Sequence, residues 1–227
     1  MKCLILIICI LAGVSILHIS QNQDEARATS QTHRTKQVPI VNYTTNELEE
    51  SLRILLATHP TPGIRTKLYK AIEDTEVAVS WTDDYAAAFM LVPKKMISSS
   101  ESDTQDLQPT LMVKPQLLFG NKDYAQLVIF HEYIHFRQWK YKTLPEDTFL
   151  FEPIGSSTDP VDHCTKKWRA ELEAYHKECE FTRLAKTINL LPLCAYSGTP
   201  EYKDELFKTL VKGDMSMRLC SSLVQIH

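Results

Sequence analysis

Apolar positions along this chain follow two different periods. Leu48, Leu52, Leu55 and Leu56 recur at spacings of three and four, which is one face of a helix. Thr44 and Glu47 stand ahead of them in the capping-box arrangement, where the hydroxyl and the carboxylate each satisfy one orphan backbone amide. The helix should stop near His59-Pro60, because the residue before a proline is pushed out of the α region. Ile64, Leu68 and Ile72 predict a second short helix from Pro62 to about Glu73. The pattern then alternates. Val77, Val79 and Trp81 share one face of a strand over Glu76–Trp81. Ala86 to Val92 is a second apolar run, closed by Pro93, and the turn-like Thr82-Asp83-Asp84 between the two predicts a hairpin. Ser98 to Gln108 reads as a polar loop. Thr110–Val113 is a third strand, and the flanking Pro109 and Pro115 predict that it lies at an edge.

From Asn121 the period becomes helical again. Asn121 is a suitable N-cap, and Tyr124, Leu127, Val128, His131 and His135 share a face of a helix running to about Lys142. A loop carrying Pro145, Pro153, Gly155 and Pro160 follows. A further helix is expected from Asp162 or Thr165 to Asn189. The last thirty residues hold a Pro/Gly-rich turn and one more helix near Glu201 to Lys212. These elements describe an α+β chain. No internal repeat is apparent.

The first residues change the picture in one respect. Lys2 precedes an apolar run from Cys3 to Leu17, and polar residues begin at Ser20. That length suits a secretory signal better than a membrane span, which needs roughly 20 apolar residues. His18 is a poor match to the small residue expected before a cleavage at Ser20, so an uncleaved membrane anchor stays open. Cys9 follows Ile8, a poor match to a lipoprotein signal. The organisation read here is a signal or anchor over 1–20, a polar linker over 21–40 and one domain over 41–227. The expected location is secreted, periplasmic or otherwise extracellular. Asn42-Tyr43-Thr44 is a glycosylation sequon if the source is eukaryotic.

Of six cysteines, Cys3 and Cys9 lie in that leader. Cys164, Cys179, Cys194 and Cys220 remain, and in an exported chain they allow two disulfides in three pairings. Their spacing is too wide for a zinc ribbon. The formal charge is −3 in 227 residues, with 44% apolar residues and no basic stripe. A nucleic-acid partner is therefore not expected.

The strongest chemical signal is His131-Glu132-Tyr133-Ile134-His135. Histidines at i and i+4 lie one turn apart on one helix face, so their ring nitrogens can converge on a zinc ion at about 2.0–2.1 Å. Glu132 then points slightly around the helix, where it can take a proton from a water activated by the metal instead of binding it. The five-residue pattern is short and occurs by chance. Here it follows the apolar Leu127-Val128-Ile129-Phe130, and two unpartnered histidines and a glutamate would be costly on such a buried helix. A catalytic zinc needs a third protein ligand and an open fourth position.

Glu171 and Glu173 offer that ligand from the next helix. At about 100° per residue, Trp168, Leu172, Tyr175 and Cys179 form a narrow core stripe. Glu171 lies roughly 60° from Trp168 and Glu173 roughly 140° on the same wheel. This favours Glu171, with Glu173 turned toward solvent as the next choice and Asp162 or His163 as a third. Tyr175, His176 and His163 are candidates to stabilise an oxyanion. Arg137 and Arg169 are candidates to brace the ligand glutamate.

His131–His135 with Glu171-x-x-Ala174 resembles the gluzincin branch of the zincin metallopeptidases. The likeness covers about 60 residues, Asn121 to Glu180, and the strands before them. A metzincin continuation is excluded, since it would need glycine at position 138 and histidine at position 141, and these are Gln138 and Tyr141. An aspartate often follows the alanine of the gluzincin pattern; here that position is Tyr175. The resemblance implies a zincin-like fold: a small, mostly antiparallel sheet packed on the active-site helix and a second ligand helix, with helices at both ends. It also implies Zn2+ held by His131, His135 and Glu171, with Glu132 as a catalytic group; Tyr175 is taken as the second catalytic group from its position, one turn from Glu171. The implied substrate is a peptide or protein, lying along an edge strand near Thr110–Val113. The alternatives are a zinc-binding protein of this fold without peptidase activity, and an interaction protein in which the metal plays no part.

Overall fold

The computed structural model describes residues 43–93, 107–142, 159–185, 192–213 and 215–223. The leader, the linker, the proline loop over 143–158, most of the polar loop and residues 186–191 lie outside the described residues. Helix α1 spans Thr45–Ala57, and both halves of the Thr44–Glu47 capping box form. A π-helical turn, Ile64–Leu68, runs directly into α2, Tyr69–Glu73, where the periodicity predicts a plain helix. Three strands follow: β1 Ala78–Trp81, β2 Ala87–Pro93 and β3 Leu107–Val113. A single turn, α3 (Pro115–Leu118), leads to α4, Lys122–Tyr141, which Asn121 caps by accepting the Tyr124 amide at 3.0 Å. Helix α5 runs Pro160–Ala185 and begins earlier than the apolar period suggests. Asp159 caps it by accepting the Val161 and Asp162 amides, with Pro160 in the first turn. A 3-10 turn at Pro192–Tyr196 and two helices, α6 Glu201–Gly213 and α7 Met215–Cys220, close the described chain; the sequence pattern shows only the first of these two helices.

The architecture is α+β with a small mixed sheet. Its order is β1-β3-β2, with β1 parallel and β2 antiparallel to β3. Two expectations are overturned here. β1 and β2 do not form a hairpin, and β3 is the central strand. The link between β1 and β2 instead arches over the end of β3. The Thr82 amide donates to Val113 C=O and the Lys114 amide donates to Ala86 C=O. Pro109 is compatible with the centre because the β1 ladder begins only at Thr110, one residue later. Pro115 lies past the strand, in the first turn of α3. The sheet is therefore mixed, with one parallel and one antiparallel pairing.

Two apolar cores form. The first packs α1, α2 and the sheet against α4, with Leu56, Ile64, Leu68, Leu111, Ile129 and Phe136 almost wholly buried. The second joins α5 to the C-terminal helices through Trp168, Tyr202, Leu206 and Met217, and includes the disulfides Cys164–Cys220 and Cys179–Cys194. Helix α5 serves both: Ala174 faces the first core, Trp168 and Cys179 the second. The two disulfides fit an oxidising, extracellular setting. Among the described residues, no helix is long and apolar enough to cross a membrane.

Candidate metal centre

Helices α4 and α5 pack side by side, and three ligand-type atoms meet between them. His131 Nε2 lies 3.0 Å from His135 Nε2 and 3.4 Å from Glu171 Oε2, while His135 Nε2 lies 3.7 Å from Glu171 Oε2. The spacing follows from the helix. Four residues bring the two histidines one above the other, and Glu171 meets them from the facing turn of α5. His131, His135 and Glu171 form a group that can hold a metal ion. A tetrahedral ion with bonds of about 2.0–2.1 Å requires ligand–ligand edges of roughly 3.4 Å, and the three observed edges straddle that value.

The hydrogen bonds around the histidines make the fit more specific. Gln138 Nε2 donates to Ala170 C=O (3.1 Å) and to Glu173 Oε2 (3.0 Å), both acceptors. Its Oε1 therefore faces His135 Nδ1, 2.8 Å away, and Nδ1 must be the protonated nitrogen. On His131, Nδ1 faces the acceptor Glu178 Oε2 at 3.4 Å. His135 thus turns an unprotonated Nε2 toward His131 Nε2 and toward a carboxylate oxygen. Lone pairs that close need a cation among them, either a proton or a metal ion. The electrostatics agree. Burial opposes charge on His131, but Glu178 and Glu171 outweigh it and hold the imidazole well above its usual pKa. Burial likewise opposes charge on His135, and Glu171 overrides it. Burial would raise Glu171, yet His135 and His131 hold it well below the carboxylate range.

Glu132 is buried beside this group and reaches the sheet. Its Oε2 accepts the backbone amide of Phe89, in β2, at 2.7 Å. Ala86 C=O faces β3, so the even-numbered residues of β2 pair inward and the odd-numbered ones project from its free edge. Phe89 is one of the latter. Among the described residues, the sheet edge beside Glu132 is thus that of β2, not Thr110–Val113.

Other candidates separate clearly. Tyr175 packs its ring edge-on against His131, with centroids 4.7 Å apart. His176 is exposed and pairs with Glu180. His163 is buried eight residues before Glu171, roughly 12 Å away along the helix axis, too far to serve an oxyanion at this centre. Glu173 is half-buried and holds Gln138 instead of pointing to solvent. Arg169 is exposed. Gln138 braces His135, Glu173 holds Gln138, and Glu178 lies against His131; none of the three was assigned such a place from the sequence. A cue existed for Glu178: Glu171, Ala174 and Glu178 stand at i, i+3 and i+7, on one stripe of α5.

Fold and site together define an α+β chain with a group of two buried histidines and a half-buried glutamate that could hold a metal ion. No protein-family model, curated protein or solved structure matches it.

Proposed function

We propose that this chain is an exported zinc-dependent metallopeptidase that hydrolyses peptide bonds. The observation that carries the reading is the near-tetrahedral triangle of His131, His135 and Glu171 with Glu132 beside it, against the free edge of β2. Two imidazoles and one carboxylate are a donor set that suits zinc and leaves a fourth position open. When bound, zinc polarises a carbonyl and lowers the pKa of water toward neutrality. Glu132 takes a proton from the attacking water and passes it to the departing amine. An extended substrate adds to β2 through the outward groups of Ala87 and Leu91, which flank Phe89. Tyr175, against His131, is the candidate to donate to the developing oxyanion.

Metal content and activity test this separately. Purified protein should carry close to one zinc per chain, and Glu171→Ala should lose it while Glu173→Ala retains it. Activity on a denatured protein substrate should fall by about 10²-fold or more in Glu132→Gln. Equal rates in the two forms would overturn the peptidase mechanism and leave a zinc-binding protein of this fold.

A further inference from the structure

Glu178 has no part in that scheme, yet its environment is demanding. The residue is only 4% exposed, and Oε2 makes no hydrogen bond within normal limits. Taking a carboxylate out of water is costly unless it is paired, so packing alone is a poor reason for a glutamate here. Its Oε2 faces His131 Nδ1 at 3.4 Å, on the side of the ring opposite the three-atom centre. The next residue, Cys179, is tied to Cys194, which pins this turn of α5.

We infer that Glu178 is a positioning residue for the metal centre: its carboxylate holds His131 with Nδ1 protonated and Nε2 aimed at the ion. The inference rests on the metal-centre reading above. A charged acceptor on Nδ1 makes the imidazole a stronger donor at Nε2 and fixes its ring orientation. His135 Nδ1 instead faces the neutral amide oxygen of Gln138. On this reading the two histidines are unequal ligands, and the strength of His131 depends on a buried charge.

The test is zinc affinity, measured on the full chain by competition with a chromophoric chelator. Glu178→Met fills similar volume without an acceptor, and Glu178→Gln keeps a neutral acceptor. Loss of such a partner weakens metal binding about 10- to 100-fold. The expected order is wild type tightest, then Glu178→Gln, then Glu178→Met, with both variants folded by circular dichroism. A role in packing alone would leave zinc affinity unmoved. Wild-type affinity in Glu178→Met, or in Glu178→Gln should the methionine variant fail to fold, would overturn the inference while sparing the metal centre. Absence of zinc binding by the wild type would overturn both.

Discussion

His59 shows how burial and hydrogen bonding fix a protonation state at a single residue. The ring is wholly enclosed. Its Nε2 lies 2.9 Å from Gln126 C=O, and its Nδ1 accepts the Thr61 amide at 3.1 Å. Only the neutral imidazole can satisfy both contacts. Burial, with Arg65 adding repulsion, lowers its pKa against the opposing pull of Gln126 C=O. A depressed folded-state pKa means that the unfolded chain takes up the proton first. The stability His59 contributes is thus complete above about 6.5, the free-histidine value, and is lost as pH falls below it. Urea unfolding at pH 7 and pH 5 should show a smaller pH-dependent loss in His59→Gln than in the wild type; parallel losses would contradict this assignment. At the same scale, part of the candidate site was legible. The i, i+4 histidines and the facing of Glu171 follow from helical periodicity alone. Gln138 and Glu178 were not read: Gln138 stands one turn from His135 on α4, but which of its amide atoms faces the ring is set by α5, and Glu178 meets His131 only where the two helices pack.

Contacts between elements explain one glycine and one misplaced strand. Gly63 enters the π-helical turn with ordinary right-handed backbone, so its lack of a side chain answers a neighbour and not a dihedral angle. A Cβ built there would overlap the Tyr133 hydroxyl, which α4 projects from between its two histidines. Gly63→Ala should cost about 1–3 kcal/mol by overpacking, read as a lower urea midpoint. An unchanged midpoint would mean that Tyr133 can swing aside at no cost. Caps were legible because they are local: Thr44 with Glu47, and Asn121, each act within three residues. The place of β3 was not. Prolines at both ends read as edge signals, and nothing local reveals that the β1 ladder starts one residue beyond Pro109.

Across the whole molecule, α5 is the member that both cores share, and covalent links hold it to the C-terminal helices. The two disulfides close loops of different size, 15 residues for Cys179–Cys194 and 56 for Cys164–Cys220. On the chain-entropy account these are worth about 3 and about 4 kcal/mol. Replacing Cys164 and Cys220 by alanine should therefore destabilise the metal-free protein more than replacing Cys179 and Cys194. Denaturant unfolding of the two double variants checks the order, and its reversal would refute the entropic account. Sequence alone allowed three pairings, since cysteine spacing carries no record of which helices meet.

The position of β3 between β1 and β2 has a kinetic side. Among the described residues, β1 meets its one strand partner 32 residues later, in parallel, with Ala78 opposite Thr110. No local zipper can nucleate that ladder, and β1 cannot be laid down against the sheet before β3 is in place. A chain emerging from the ribosome must therefore carry β1 and β2 unpaired until β3 has been synthesised. During that interval the apolar run around Phe89, which later lies beside Glu132, is an exposed hazard for association with other nascent chains.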